Sequence, residues 1–187
     1  MKIFLCFSIV FLAACAAPTI PNKYHDPEMD FASVQTLAVM PFQNLTSDKL
    51  ASGRVRDVFS NKLLSMGSIY VIPAGETARG ISRAGITDPT APSAAEIVKM
   101  AAIVKVDAVI TGVVREYGIV KSGAASANVI SFSLQLFDVQ SQKVVWTASS
   151  TKGGISTWDR LLGSGGQPMN DITEAAIDDI IDKLFIN

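Results

Sequence analysis

The run from Ile3 to Ala14 decides which residues are left to fold. It is apolar except for Ser8 and follows a single basic residue, Lys2. A basic start, an apolar centre and small residues before a cleavage point make up a secretory signal peptide. The run is too short to cross a bilayer, which takes about 20 residues. Cleavage before Cys15 assigns residues 1–14 to the signal and leaves 173 residues (187 minus 14). That is enough for one domain with a substantial core.

Cleavage also empties the chain of reactive side chains. Cys6 leaves with the signal, so Cys15 is the one cysteine of the mature chain and no disulfide can form within it. The single histidine is His25. A zinc site of Cys and His type is thereby excluded, as is a Ser-His-Asp or Cys-His pair in the folded body. Neither metal nor cofactor is expected. The chain has 16 basic and 17 acidic residues, and loss of Lys2 brings the mature charge near −2. Such a balance gives no reason to expect nucleic acid as a partner.

The tetrapeptide Leu12-Ala13-Ala14-Cys15 is similar to a bacterial lipobox. The likeness implies that Leu12, Ala13 and Ala14 are read by the signal peptidase and that the thiol and new amine of Cys15 are acylated. An ordinary signal peptide with an incidental cysteine, or a buried N-terminal helix, is the competing reading. Alanine, not aspartate, follows Cys15. By the sorting rule of enteric bacteria this points to the outer membrane. Residues 15–33 read as a lipidated tether, with Pro18, Pro21 and Pro27 among polar residues and no apolar period. His25 is expected to be solvated within it.

Residues 34–187 read as one α/β domain. Thr36 to Phe42 is a mostly apolar strand ended by Pro41. A helix is predicted from Asp48 to Met66, with Val55, Phe59 and Leu63 on one stripe and Gly67 as its C-terminal cap. Ile69 to Ile72 is a second strand, and a helical crossover favours its parallel pairing with the first. Residues 75–92, with Gly80, Gly85, Pro89 and Pro92, read as an irregular surface excursion with room for a short helical turn. Ser93 and Glu96 form a capping box for the next helix. A third strand follows from Ala108 to Val114, then a connection over residues 118–127. Ile130, Phe132, Leu134 and Leu136 then alternate with polar residues in a half-buried strand. Residues 138–143 turn the chain into a hairpin with Val144 to Ala148, and Trp146 is expected in the core. Residues 152–168 are glycine-rich. A last helix covers about Asn170 to Phe185, with Ile172, Ala176, Ile177, Ile180, Ile181 and Leu184 on one face. The expected fold is a single mixed sheet, parallel in its first half and an antiparallel hairpin in its second, flanked by helices.

Three of these segments carry a resemblance. They are Leu37-Ala38-Val39-Met40-Pro41-Phe42 with its Asn-containing turn, Asp107-Ala108-Val109-Ile110-Thr111-Gly112, and Phe137 through Trp146. In that order after a lipobox they resemble the CsgG/PelC/TolB-N-terminal-like superfamily of bacterial periplasmic lipoproteins, which includes LpoB-type activators of peptidoglycan synthases. The resemblance implies a lipid-anchored periplasmic protein without enzymatic activity. It also implies a homo-oligomeric component of a secretion or envelope-assembly system, or else a monomeric regulator that binds a periplasmic enzyme. CsgG forms a pore from long inserted strands, which need about 9–11 residues each. With residues 118–127 read as a connection, this chain is not expected to make a pore of its own.

Other candidate sites fare worse. Gly163-Ser164-Gly165-Gly166 lacks the lysine and the strand-to-helix setting of a phosphate loop. Asp171, Glu174, Asp178, Asp179 and Asp182 read as a solvated helix face, although they could line an acidic funnel or hold a divalent ion. Glu116, Asp138 and Asp159 suggest no catalytic pair. Trp158, Leu161 and Leu162, large apolar residues in a glycine-rich loop, are candidates for a membrane or oligomer contact, or for burial over the sheet edge.

Overall fold

A computed structural model describes residues 22–123, 125–155 and 166–185. The strand–helix–strand unit at its start forms as the apolar pattern predicts. β2 (Thr36–Val39) lies parallel to β4 (Tyr70–Val71), with α1 (Ala51–Met66) as the crossover. Leu37, Ala38 and Val39 are buried because both faces of β2 are covered. Pro41 has no N–H to give the ladder, and β2 stops short of it. The chain then rejoins the sheet as β3 (Gln43–Asn44) beside Val113 and Val114. α1 begins three residues later than expected. Asp48 accepts the Leu50 N–H at 2.8 Å and holds Arg54 at 2.9 Å, so it organises the turn before the helix and does not cap it.

The antiparallel half is longer than the sequence suggests. β5 (Ala108–Ser122) and β6 (Ala125–Asp138) pair over their whole lengths, and β7 (Lys143–Gly153) pairs with β6. Residues 118–127, expected as a connection, are therefore mostly strand. Tyr117-Gly118-Ile119-Val120 on one side and small residues on the other show no clean alternation. Their pairing comes from the register set by the apolar inner half. With strands of 15 and 14 residues, the length argument against inserted strands no longer holds.

A second correction concerns α2 (Ala74–Ala84), which occupies part of the stretch expected to be irregular. Its Gly80 is a packing residue. A Cβ there would sit 2.5 Å from Val104 Cγ1 and 3.2 Å from Met100 Cγ, so glycine lets α2 lie close against α3 (Ala94–Val104). Gly85 ends α2 in the left-handed region at φ 71°. The Ser93–Glu96 capping box of α3 is present.

The sheet has seven strands in the order β1 (Lys23–His25), β7, β6, β5, β2, β4, with β3 also on β5. Each face has its own core. α1 and α4 (Met169–Phe185) cover one face with Val55, Phe59, Leu63, Ile172, Ile177 and Ile180, packed on Ile110, Phe132, Leu134 and Trp146. α2 and α3 cover part of the other, with Met100 and Ile97 of α3 and Ile86, just past α2, on Val109 and Phe137. Burying side chains of this size contributes about 1.5–3 kcal/mol each. Trp146 is fully buried, as its place on the returning strand predicts.

The expected tether is shorter than residues 15–33. β1 (Lys23–His25) adds an antiparallel edge strand to β7, and Phe31–Ser33 forms a 3-10 turn. His25 is not a solvated linker residue. Its Nε2–H donates to the Lys183 carbonyl at 2.7 Å, and its ring lies 5.1 Å from that of Phe31.

Candidate functional site

Leu12, Ala13, Ala14 and Cys15 lie outside the described residues, as do Trp158, Leu161 and Leu162. What the structure does place is the point where each of these segments meets the sheet. The N-terminal segment joins at Asn22, whose carbonyl accepts the Ser149 N–H at 2.9 Å. The other leaves after Ile155 and rejoins at Gly166, whose N–H donates to the Ser126 carbonyl. Asn128 Nδ2 donates to the Gln167 carbonyl at 2.8 Å, just before α4. The Gly166 and Asn128 junctions lie toward the end of the sheet that carries the β5–β6 turn, whereas Asn22 joins mid-sheet, where Ser149 stands opposite Ser133.

The N-terminal junction is held by the last turn of α4. A helix C-terminus leaves carbonyls without intrahelical partners. Here the Lys183 carbonyl accepts both the His25 ring N–H and the Trp146 Nε1–H, the latter at 3.0 Å. The Lys183 ammonium donates to the Ser149 carbonyl at 2.9 Å and to Asp179 at 2.7 Å. Burial acts to raise the Asp179 pKa, but the hydrogen bond and charge of Lys183 outweigh it and hold the carboxyl below its usual value, with Lys152 adding to the effect. Neither His25 nor Lys183 stands out in the sequence as a packing residue. The one available signal was the alternation Tyr24-His25 opposite a strand-edge partner, too short to read.

Two acids of α4, Asp178 and Asp179, form ion pairs. Lys62 binds Asp178 at 2.6 Å, and Asp179 is held by Lys183 and Lys152. Among the described residues, no three His, Cys, Asp or Glu side chains come together as metal ligands would. Glu116 and Asp138 lie far apart along the hairpin, opposite Ser131 and Ala108. Asp138 instead accepts the Ser141 N–H in the β6–β7 turn.

The two ends of the sheet differ in what they expose. At the end where β5 begins, Phe31, Val34, Ile69, Leu136, Leu184 and Phe185 line an apolar groove of about 410 Å³. Asp107, at the same end, accepts the Gln35 and Thr36 N–H groups and the Thr36 hydroxyl. Burial would raise its pKa, but these bonds dominate and lower it. At the other end the β5 strand of the β5–β6 hairpin has Ile119 66% and Val120 37% exposed, while Ala125, Ala127 and Val129 on β6 are buried. No helix among the described residues is long and apolar enough to cross a membrane.

The fold is shared with several solved structures. A PelC dodecamer from Paraburkholderia phytofirmans is similar to this chain at a TM-score of 0.56 and 17% identity, covering 86% of this chain and 95% of that one. Lipoprotein GNA1162 from Neisseria meningitidis matches at 0.52 and 24% identity, over 79% of this chain and 99% of that one. The LpoB C-terminal domain from Salmonella enterica matches at 0.50 and 15%, over 63% and 82%. No curated protein sequence matches the chain. The model of the family described as "Putative lipoprotein GNA1162-like" matches residues 28–185, nearly all of the folded body. On that match, the chain belongs to the GNA1162-like lipoprotein family.

Proposed function

We propose that the protein is a non-enzymatic accessory lipoprotein of a bacterial secretion or envelope-assembly system, within the wider CsgG/PelC/TolB superfamily. Acylated Cys15 anchors it to the periplasmic face of the outer membrane, after removal of residues 1–14 at the Leu12-Ala13-Ala14 signal. The match of a lipoprotein family to residues 28–185 carries this reading, because the lipobox-like stretch lies just upstream. The fold shared with a PelC dodecamer supports assembly into a homo-oligomer. Trp158, Leu161 and Leu162 contact the membrane or a neighbouring copy.

The likeness to the LpoB C-terminal domain supports a second reading, a monomeric regulator of a periplasmic enzyme such as a peptidoglycan synthase. Mass in detergent separates the two. Light scattering of the purified mature protein at micromolar concentration should report a multiple of the protomer, and a clean monomer would sink the oligomer. Intact mass should show acyl chains on a chain that begins at Cys15. An unmodified mature chain would remove the anchor.

A further inference from the structure

The register of β1 fixes the direction in which the chain enters the sheet. Lys23, Tyr24 and His25 stand opposite Ala148, Thr147 and Trp146. Going upstream from Asn22, the chain is therefore aimed along β7 toward Gly153. Gly153 stands opposite Val129 on β6, and the hairpin turn lies four residues further on at Ala125. At about 3.4 Å per residue, Ser149 to the turn spans about 27 Å. The seven residues from Cys15 to Asn22 reach at most about 25 Å when extended. A lipidated Cys15 can thus come level with the hairpin turn to within a few ångströms. At the opposite end of the sheet it could not reach the surface without reversing the chain.

The composition of the turn end fits a lipid surface. Between Glu116 and Asp138 the only charged residue is Lys121, a cation. The apolar side chains exposed there are Ile119 and Val120, both on β5, while Ala125 and Ala127 across from that strand's end are buried. The groove end, by contrast, carries Lys105, Asp107, Asp138 and Lys143 close together in the chain reversals that border it. From tether direction, reach and charge together, we infer that the turn of the β5–β6 hairpin rests on the membrane, with Ile119 and Val120 at the acyl boundary and Lys121 among anionic headgroups. The inference rests on the proposed Cys15 anchor. It adds an orientation: strands roughly along the membrane normal and the apolar groove facing away from the bilayer.

The mature chain has no free thiol besides Cys15, so a single introduced cysteine can carry a fluorophore. Ile119→Cys and Tyr70→Cys give matched probes, 66% and 60% exposed at opposite ends of the sheet. Lipidated protein would be reconstituted into phosphatidylethanolamine–phosphatidylglycerol vesicles containing spin-labelled lipid. Quenching at Ile119→Cys should exceed that at Tyr70→Cys several-fold, and Lys121→Glu should reduce it. Equal quenching at both positions, or more at Tyr70→Cys, would overturn the orientation. So would a label at Ile119→Cys that is shielded from water but unquenched by lipid, which would assign the tip to contact between copies. Flotation of the same samples separates the two levels. Protein that fails to float with the vesicles loses the anchor and the orientation together. Protein that floats with an unquenched tip loses only the orientation.

Discussion

The inner and outer halves of one hairpin show how the same pair of strands can be core in one place and surface in another. From Ala108 to Val114 and from Phe132 to Asp138, β5 and β6 are covered by α1 and α4 on one face and in part by α2 and α3 on the other, and Ile110, Phe132 and Leu134 are fully buried. Past the bulge between Val114 and Glu116, β5 loses its β2 and β3 neighbours, and its outer edge carries Ile119 and Val120 into solvent. Backbone pairing is continuous across both halves. What changes is the cover over β5, since Ala125, Ala127 and Val129 on β6 stay buried, so the inner half should govern stability and the exposed β5 side of the outer half interaction.

The largest effect tests the inner half. Trp146→Ala removes a fully buried ring and the indole N–H on the Lys183 carbonyl, and should cost about 3–5 kcal/mol in urea unfolding. Gly112→Ala comes next. A Cβ there would lie 2.5 Å from Leu134 Cδ2 and 2.8 Å from Phe42 Cδ1, an overpacking worth about 1–3 kcal/mol. Ser93→Ala breaks the capping box of α3 and should cost about 1 kcal/mol by the same measurement.

Asp107→Asn probes the base of the inner half through pH. The folded carboxyl has a lowered pKa, so its contribution is present above the unfolded value of about 3.9 and is lost as pH falls through the folded one. The variant should have a lower Tm at neutral pH, with the gap closing in acid. Smallest of all, Ile119→Ser should change stability by less than about 0.5 kcal/mol. If it costs as much as Gly112→Ala, the outer half is packed and the contrast between the halves fails.

The apolar segments with strong periodicity were legible in the sequence: β2, α1, α3, the inner part of β6 and α4. So was the mixed sheet, because helical crossovers and a short polar turn constrain topology. Three features were hidden for different reasons. α2 contains Gly80, whose purpose is contact with α3 and not chain reversal. The outer hairpin borrows its register from the inner one. His25 lies in a three-residue strand, and the hydrogen-bond partner of its ring, at the end of α4, is 158 residues away. The proposed anchor residues were legible only as a motif, and neither burial nor geometry bears on them.

The antiparallel seating of β1 on β7 has a mechanical consequence. Ladder hydrogen bonds run across the strands, so a pull on the N-terminal segment along its own direction loads the bonds at Asn22, the β1 rungs and the 2.8 Å bond from the Asp26 N–H to the Val145 carbonyl together. That is shear, in which the rungs share the force, and not peeling, in which they fail one after another. A cargo or partner dragging the body away from its attachment point would therefore meet its resistance at the first three residues of the sheet, backed by the imidazole bond to the end of α4.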